Sequence, residues 1–129
     1  MIGIIPAAGY GTRLYELGRS EVEVVCGGLS KSILAGIDHL SSEDQPLLIL
    51  LGDLLVNSGK ISLDGNSVST FTVDDWSRWC MVDAKGVFYD KPKERPPTDQ
   101  ALSGVYHLTS SKEVKRLIEG QIEEDTRIN

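Results

Sequence analysis

Cysteine is scarce in this sequence, and the positions of the two cysteines exclude two classes of protein. Cys26 and Cys80 lie far apart and form no CxxC pair. A disulfide-stabilised secreted domain or a cysteine-based metal site would need more cysteines at closer spacing. We therefore expect two reduced thiols and a cytoplasmic protein.

Long apolar runs are also missing. The run "PLLILLG" at 46–52 is far shorter than the roughly 20 apolar residues that span a bilayer. The first residues include no basic region, and their apolar stretch is interrupted by Pro6. Neither a membrane partner nor a targeting segment is therefore expected.

Basic residues are outnumbered, with 13 lysines and arginines against 19 acidic residues and a formal net charge of −6. This balance argues against nucleic acid or an anionic membrane as the main partner. An acidic protein that binds a phosphate must gather its cations locally, which draws attention to Arg13, Lys91, Lys93 and Arg95. The length of 129 residues and the hydrophobic share of 40% are typical of one soluble domain covering residues 1–129.

The first half of the chain alternates predicted strands with a predicted helix. Residues 2–7 are almost wholly apolar and predict a strand buried on both faces, and "EVEVV" at 21–25 predicts a second strand. Residues 46–53 predict a further buried strand, and the order strand, helix, strand favours a parallel pair with a crossover helix. The helix is predicted at 30–40 with four apolar residues on one face: Ile33, Leu34, Ile37 and Leu40.

The second half is rich in short β-type runs and ends in a helix. The strands are predicted at 67–73, 80–84, 86–90 and 101–108. Residues 91–99, "KPKERPPTD", contain three prolines and predict a loop. The helix is predicted at 110–122, begins with a capping box from Ser110 to Glu113, and has these apolar residues on one side: Val114, Leu117, Ile118 and Ile122.

The stretch "IIPAAGYGTRL" at 4–14 has the features of a phosphate-binding loop. Gly9 and Gly11 follow a predicted strand, where glycine lets backbone N–H groups approach an anion closely. Arg13 adds a planar guanidinium suited to phosphate oxygens. The GxGxxG pattern is not met, because Leu14 occupies the third glycine position, and the GxxxxGK[ST] pattern is absent as well. A glycine-rich surface turn with a solvated arginine is the alternative.

Four motifs in order resemble those of the sugar-1-phosphate nucleotidylyltransferases. The stretch 4–14 resembles the family's G-x-G-T-R-L signature, and 27–40 resembles its G-L-A-x-A helix. The stretch 47–56, "LLILLGDLLV", resembles its L-G-D strand end. The stretch 74–108 resembles D-P-S-R-Y-G-V-V, then E-K-P, then A-x-x-G-x-Y. The resemblance covers most of the chain and implies an α/β, Rossmann-like nucleotidyltransferase (GT-A-like) fold, with a mostly parallel or mixed sheet flanked by helices.

The resemblance also implies roles for individual residues. Arg13 would stabilise charge at the reacting α-phosphorus, Asp53 would hold Mg²⁺, and Lys91 would hold the sugar phosphate. Asp90, in place of the family's glutamate, would meet sugar hydroxyls, and Gly104 would leave room for the sugar. The nucleotide would be bound by Ala8, Gly9, Gly11, Thr12, Arg13 and Gly28.

The implied reaction is nucleotidyl transfer from a nucleoside triphosphate to a sugar 1-phosphate or a similar phosphorylated alcohol. Pyrophosphate is released, and Mg²⁺ is required. The variant "PAAG" leans towards uridine or thymidine nucleotides, and cytidine stays open. The partners expected are these small molecules, and a homo-oligomer is left open.

Simpler structural roles compete with these functional ones. Asp53 would cap a turn, Lys91 would be a solvated loop lysine, and Gly28 would only serve the turn into its helix. Structural roles are favoured outright for two other pairs of residues. These are His39 and His107, expected on a helix surface and in a strand, and Trp76 and Trp79, expected to pack.

Several departures from the family pattern favour a second function, a nucleotide- or sugar-phosphate-binding or regulatory module of the same fold without catalysis. Residues 14–21, "LYELGRSE", contain no lysine where the family places one against the triphosphate. Cys80 stands where the family has glycine and would crowd the sugar. The family's second metal-binding aspartate has no counterpart here. We expect that these 129 residues are not the whole natural polypeptide. A dehydrogenase of the Rossmann type is disfavoured by Leu14.

Overall fold

The computed structural model describes residues 1–6, 29–40, 42–52, 61 and 63–128. Within these ranges the chain has an α/β architecture, as the sequence predicts. The helices are α1 (Leu29–Leu40) and α2 (Ser111–Ile128), with a short 3₁₀ helix at Trp76–Arg78. The strands are β1 (Ile2–Ile4), β2 (Leu47–Leu50), β3 (Ser67–Thr72), β4 (Cys80–Val82), β5 (Phe88–Asp90) and β6 (Gln100–Leu108).

Strands β1 and β2 form the predicted parallel pair. Ile2 lies opposite Leu47 and Ile4 opposite Ile49, and α1 lies between the two strands in sequence. The crossover arrangement is therefore confirmed. The strand predicted at 21–25 lies outside the described residues.

The long strand β6 organises the rest of the sheet. Tyr106 lies opposite both Ile49 of β2 and Val68 of β3, and Ala101 lies opposite both Phe71 of β3 and Met81 of β4. A strand has only two edges, so β3 occupies one edge of β6 while β2 and β4 follow one another along the other. All three pair antiparallel to β6, and β5 extends the sheet beyond β4. The sheet is mixed.

Both helices pack on one face of this sheet. The buried cluster consists of Ile4, Ile33, Ile37, Leu47 and Ile49. Partly buried residues from β6 and α2 pack against it: Tyr106, Leu108, Val114 and Ile118. Since residues of α1 and α2 join the same cluster, the two helices cover the same side of β1, β2 and β6. The apolar faces predicted for both helices are confirmed at these positions.

One expectation about burial was wrong, and one apolar residue of α2 is more exposed than its neighbours on the same side. The first strand ends at Ile4, and Ile5 is 68% exposed. Ile4 packs against α1 at Gly36, and because side chains alternate along a strand, Ile5 lies on the side away from that helix. Leu117 is 56% exposed. Val114 and Ile118 point to the core, and the 100° rotation per helical residue carries Leu117 to the border of that face.

The start of α2 is fixed to the segment that precedes β2. The Glu113 N–H donates to Ser110 Oγ at 3.1 Å, which confirms the Ser110 cap. Asp44 accepts hydrogen bonds from the Lys112 N–H at 3.1 Å and from the Ser110 hydroxyl at 2.8 Å. Ser111 is buried and accepts from the Gln45 N–H. These hydrogen bonds lower the pKa of Asp44 below its ordinary value, the Lys112 N–H most of all.

We expect Asp44→Asn to destabilise the protein at pH 7 and to make its stability less sensitive to acid. The folded state favours ionised Asp44, so this contribution is complete above the ordinary pKa of 3.8 and is lost as the pH falls through the lowered pKa of the folded state. The stability gap between wild type and variant should therefore narrow below about pH 4, as urea unfolding at several pH values will measure. Asp74→Asn, at an exposed position, is the control. A gap of the same size at pH 7 and pH 3 would contradict the assignment.

Candidate functional site

The end of β2 meets the beginning of β4 along the same edge of β6. The Leu51 N–H donates to the Gly104 carbonyl at 3.0 Å, and Met81 lies opposite Ala101. Three residues along β6 therefore separate these two contacts, which corresponds to about 10 Å. We call this place, formed by Leu51, Gly52, Cys80 and Gly104, the sheet junction. The chain that follows Gly52 begins here.

The end of β1 lies beside the sheet junction. An ideal Cβ atom on Gly52 would be 3.2 Å from the carbonyl oxygen of Pro6. Parallel strands end at the same edge of a sheet, and ligands of open α/β sheets bind at that edge. The predicted glycine loop follows Pro6 in the chain, and Asp53 follows Gly52. Both predicted segments therefore begin at this edge of the sheet. The candidate residues outside the described ranges are Ala8, Gly9, Gly11, Thr12, Arg13, Gly28 and Asp53.

The end of β5 adds Asp90 and Lys91 on the other side of the junction. Asp90 lies opposite Cys80, and the Lys91 N–H donates to the Trp79 carbonyl at 3.0 Å. The structure thus places Asp90 at the end of β5, Lys91 directly after it and Gly104 in β6, around one part of the sheet. These three are the candidate residues within the described ranges.

The loop after β5 carries exposed cations. Lys91, Lys93 and Arg95 are all exposed, and none forms an ion pair with a residue that the structure describes. Glu94 and Asp99 lie in the same loop, so its charge is mixed. The Thr98 hydroxyl donates to the Val82 carbonyl at 2.8 Å and ties the end of the loop back to β4. Because these three cations are exposed, they are available to an anion near the end of β5.

Gly104 is required by the backbone and by its neighbour. Its φ is +100°, a conformation that residues with a Cβ rarely adopt. An ideal Cβ would be 2.9 Å from Leu51 Cδ1 and 3.0 Å from Leu51 Cγ. The fold therefore explains this glycine by itself, and the room that Gly104 would leave for a sugar stays a prediction.

The surroundings of Cys80 favour the protonated form of its thiol. Partial burial, and then the negative charge of Asp90, raise its pKa. Burial, and then the proximity of Cys80, raise the pKa of Tyr106. Because the thiolate is the reactive form of cysteine, these surroundings favour an unreactive side chain. Cys26 lies outside the described residues.

The histidines and Trp79 have the structural roles that were predicted. His39 is exposed on α1, and His107 is buried in β6 with its Nδ1 atom 2.7 Å from the Gly65 carbonyl oxygen. The Trp79 ring packs edge-on against Phe71, with centroids 5.1 Å apart. Its indole N–H donates to Asp75 at 3.0 Å. The sequence contained no signal for the Phe71 contact, because that contact depends on where β3 pairs.

Two further properties concern the part of the chain that the structure describes. Among those residues, no group of three histidines, cysteines, aspartates or glutamates is placed to hold a metal ion. The Mg²⁺ ligand implied by the resemblance, Asp53, is outside them. No described helix combines the length and the apolar character needed to cross a bilayer.

The comparisons with known proteins agree with this fold. No protein-family model and no curated protein matches the sequence. Among solved structures 22 chains match, including one from Bacillus anthracis that is assigned as a glucose-1-phosphate thymidylyltransferase and was crystallised in complex with sucrose. The TM-score is 0.50 and the identity 20%, over 78% of this chain and 48% of that one. The chain thus spans about half the length of that protein. The likeness shows the fold alone: this chain shares the α/β architecture of that structure.

Proposed function

We propose that this chain binds a nucleoside triphosphate and a sugar 1-phosphate at the sheet junction and transfers the nucleotidyl group between them, releasing pyrophosphate. The observation that carries the proposal is the register of the sheet. It places the ends of β1, β2 and β5 around one junction, and two of these ends lead directly into the glycine loop and Asp53. The loop and Asp53 are the motifs that resemble the nucleotide and metal sites of nucleotidylyltransferases.

The reaction is a single displacement at phosphorus. A phosphate oxygen of the sugar 1-phosphate attacks the α-phosphorus of the nucleotide, the bond from that phosphorus to the bridging oxygen breaks, and pyrophosphate leaves. Such a reaction depends on positioning and on neutralising charge. In the proposal Arg13 and the backbone of the glycine loop bind the triphosphate, and Lys91 binds the phosphate of the sugar.

The remaining residues orient the substrates. Asp90 accepts hydrogen bonds from sugar hydroxyls, Gly28 contacts the base, and Gly104 lies beneath the sugar. Asp53 would hold Mg²⁺, which supplies positive charge against the triphosphate when bound. A cytoplasmic location, where nucleotide substrates are available, is part of the same proposal.

A binding module without catalysis is the second candidate. The segment 14–21 has no lysine that could reach the triphosphate as the family's lysine does. The side chain of Cys80 at the junction also occupies a position that the family keeps as glycine. Both features oppose turnover more than they oppose binding.

One experiment separates the two candidates. Each nucleoside triphosphate is combined with glucose 1-phosphate and Mg²⁺, and pyrophosphate release and the melting temperature are measured in parallel. We expect release with one of the nucleotides, and we expect Lys91→Ala to reduce it at least tenfold, about 1.4 kcal/mol. The control is Lys85→Ala, in the exposed turn at the far end of the β4–β5 hairpin.

The alternative outcomes have distinct meanings. Ligands that bind only the folded state raise its melting temperature whether or not they react. A rise without pyrophosphate release would therefore identify the binding module. Neither a rise nor release, with every nucleotide, would contradict both candidates.

A further inference from the structure

Lys91 has a strained backbone at the end of β5. Its φ is +43°, and it is the non-glycine residue with positive φ among those that the structure describes. A side chain with a Cβ makes this left-handed conformation unfavourable, and the conformation persists where the surroundings hold it.

The backbone of Trp79 is the direct contact. Cys80 and Asp90 form the last residue pair of the β4–β5 hairpin, and the Lys91 N–H then donates to the Trp79 carbonyl at 3.0 Å. This bond lies one residue beyond the paired strands. It fixes Lys91 at the point where the chain leaves β5 and enters the loop at 91–99.

Trp79 is itself held on two sides. Its indole N–H donates to Asp75 Oδ1 at 3.0 Å, and its ring packs at 89° against the ring of Phe71 in β3. The N–H of Trp79 also donates to the Trp76 carbonyl at 3.2 Å. A continuous set of contacts therefore runs from β3, through the Trp79 ring and backbone, to Lys91.

We propose that Trp79 is a positioning residue that holds the backbone of Lys91 in its left-handed conformation and so presents the ammonium group to the phosphate of a sugar 1-phosphate. The proposal rests on the proposed function, in which Lys91 binds that phosphate. Asp75 and Phe71 fix the Trp79 side chain. The position of a phosphate-binding lysine is thereby set by an aromatic residue twelve positions earlier.

The test uses Trp79→Phe, with Trp76→Phe as the matched control. Phenylalanine keeps an aromatic ring beside Phe71 and removes the indole N–H that donates a hydrogen bond to Asp75. We expect hydrogen exchange at the Lys91 amide to accelerate at least fivefold in Trp79→Phe and to stay unchanged in Trp76→Phe. We expect the affinity for glucose 1-phosphate, measured by calorimetry, to fall threefold to tenfold.

Two further variants distinguish positioning from general damage to the fold. In a Lys91→Ala background, Trp79→Phe should cause no further loss of affinity, because the effect passes through Lys91. Asp75→Asn keeps an oxygen acceptor for the indole N–H and should resemble wild type, whereas Asp75→Ala should resemble Trp79→Phe.

The results that would overturn the proposals differ. Unchanged exchange at the Lys91 amide in Trp79→Phe, or an affinity loss that persists in the Lys91→Ala background, would overturn the positioning role alone. A wild-type protein that does not bind glucose 1-phosphate would overturn the proposed function, and with it the purpose of the positioning, even if the exchange result were as expected.

Discussion

Gly104→Ala is expected to lower the free energy of unfolding by about 3 kcal/mol or more. A φ of +100° is strained for alanine, which costs about 1–3 kcal/mol. The added methyl group would also meet Leu51, with Cδ1 at 2.9 Å, Cγ at 3.0 Å and Cβ at 3.2 Å. Leu51 Cδ1 can rotate away, but the backbone fixes Leu51 Cβ, so Leu51 must give by a few tenths of an ångström, at about a further 1–3 kcal/mol. Chemical denaturation of the purified protein measures the sum.

Two other glycines separate these contributions. Gly65 has φ +61° and nothing within 4 Å of an added Cβ, so Gly65→Ala reports backbone strain without a clash. Gly3 has open space and no positive φ, so Gly3→Ala should cost little. Combining Gly104→Ala with Leu51→Ala should recover the part of the cost that comes from Leu51 Cγ and Cδ1, while the contact with Leu51 Cβ remains. If Gly104→Ala costs no more than Gly65→Ala, the close approach of Leu51 to β6 is contradicted.

The sequence predicted most of the local structure because local structure depends on local patterns. The run at 46–53 contains β2, and the ranges predicted at 101–108 and 30–40 match β6 and α1 except for the first residue of each. The ends were less accurate. The last helix was predicted at 110–122 and continues to Ile128, because the polar residues after Ile122 form helix without adding to the apolar face.

The sheet register could not be predicted from these patterns. Alternation along a strand states which residues share a face, but it does not state which strand is the neighbour. That β2 and β4 share one edge of β6, while β3 takes the other, depends on contacts between residues far apart in the chain. The need for glycine at position 104 and the contact of Trp79 with Phe71 both follow from that register.

The candidate site was also predictable only in part: the sequence showed its motifs but not where they meet. Its motifs are short and local, so the glycine loop, Asp53 and the Lys91 loop were found in the sequence. The general rule that ligands of open α/β sheets bind at the carboxyl ends of the strands favours the ends of β1 and β2 as their meeting place. In the described strands this place lies where Gly52 is beside Pro6 and where β4 begins.

Asp53→Ala is expected to reduce pyrophosphate release about a thousandfold, or about 4 kcal/mol in the activation free energy. Asp53 follows Gly52 directly, and Gly52 lies beside Pro6, which precedes the glycine loop. In the proposed function Asp53 holds a divalent cation against the triphosphate, so its loss removes charge stabilisation where charge develops. The measurement is the rate of release as a function of Mg²⁺ concentration, with the melting temperature recorded to show that the variant is folded.

The control for this prediction is Asp38→Ala. Asp38 lies near the end of α1, which precedes β2 in the crossover, so it is at the opposite end of β2 from Gly52. It forms an exposed ion pair with Lys115, a kind of contact that contributes little to stability. Asp38→Ala should therefore leave both the rate and its Mg²⁺ dependence unchanged. If Asp53→Ala kept the wild-type rate and Mg²⁺ dependence and lost only stability, Asp53 would be a turn cap after β2, the alternative that the sequence left open.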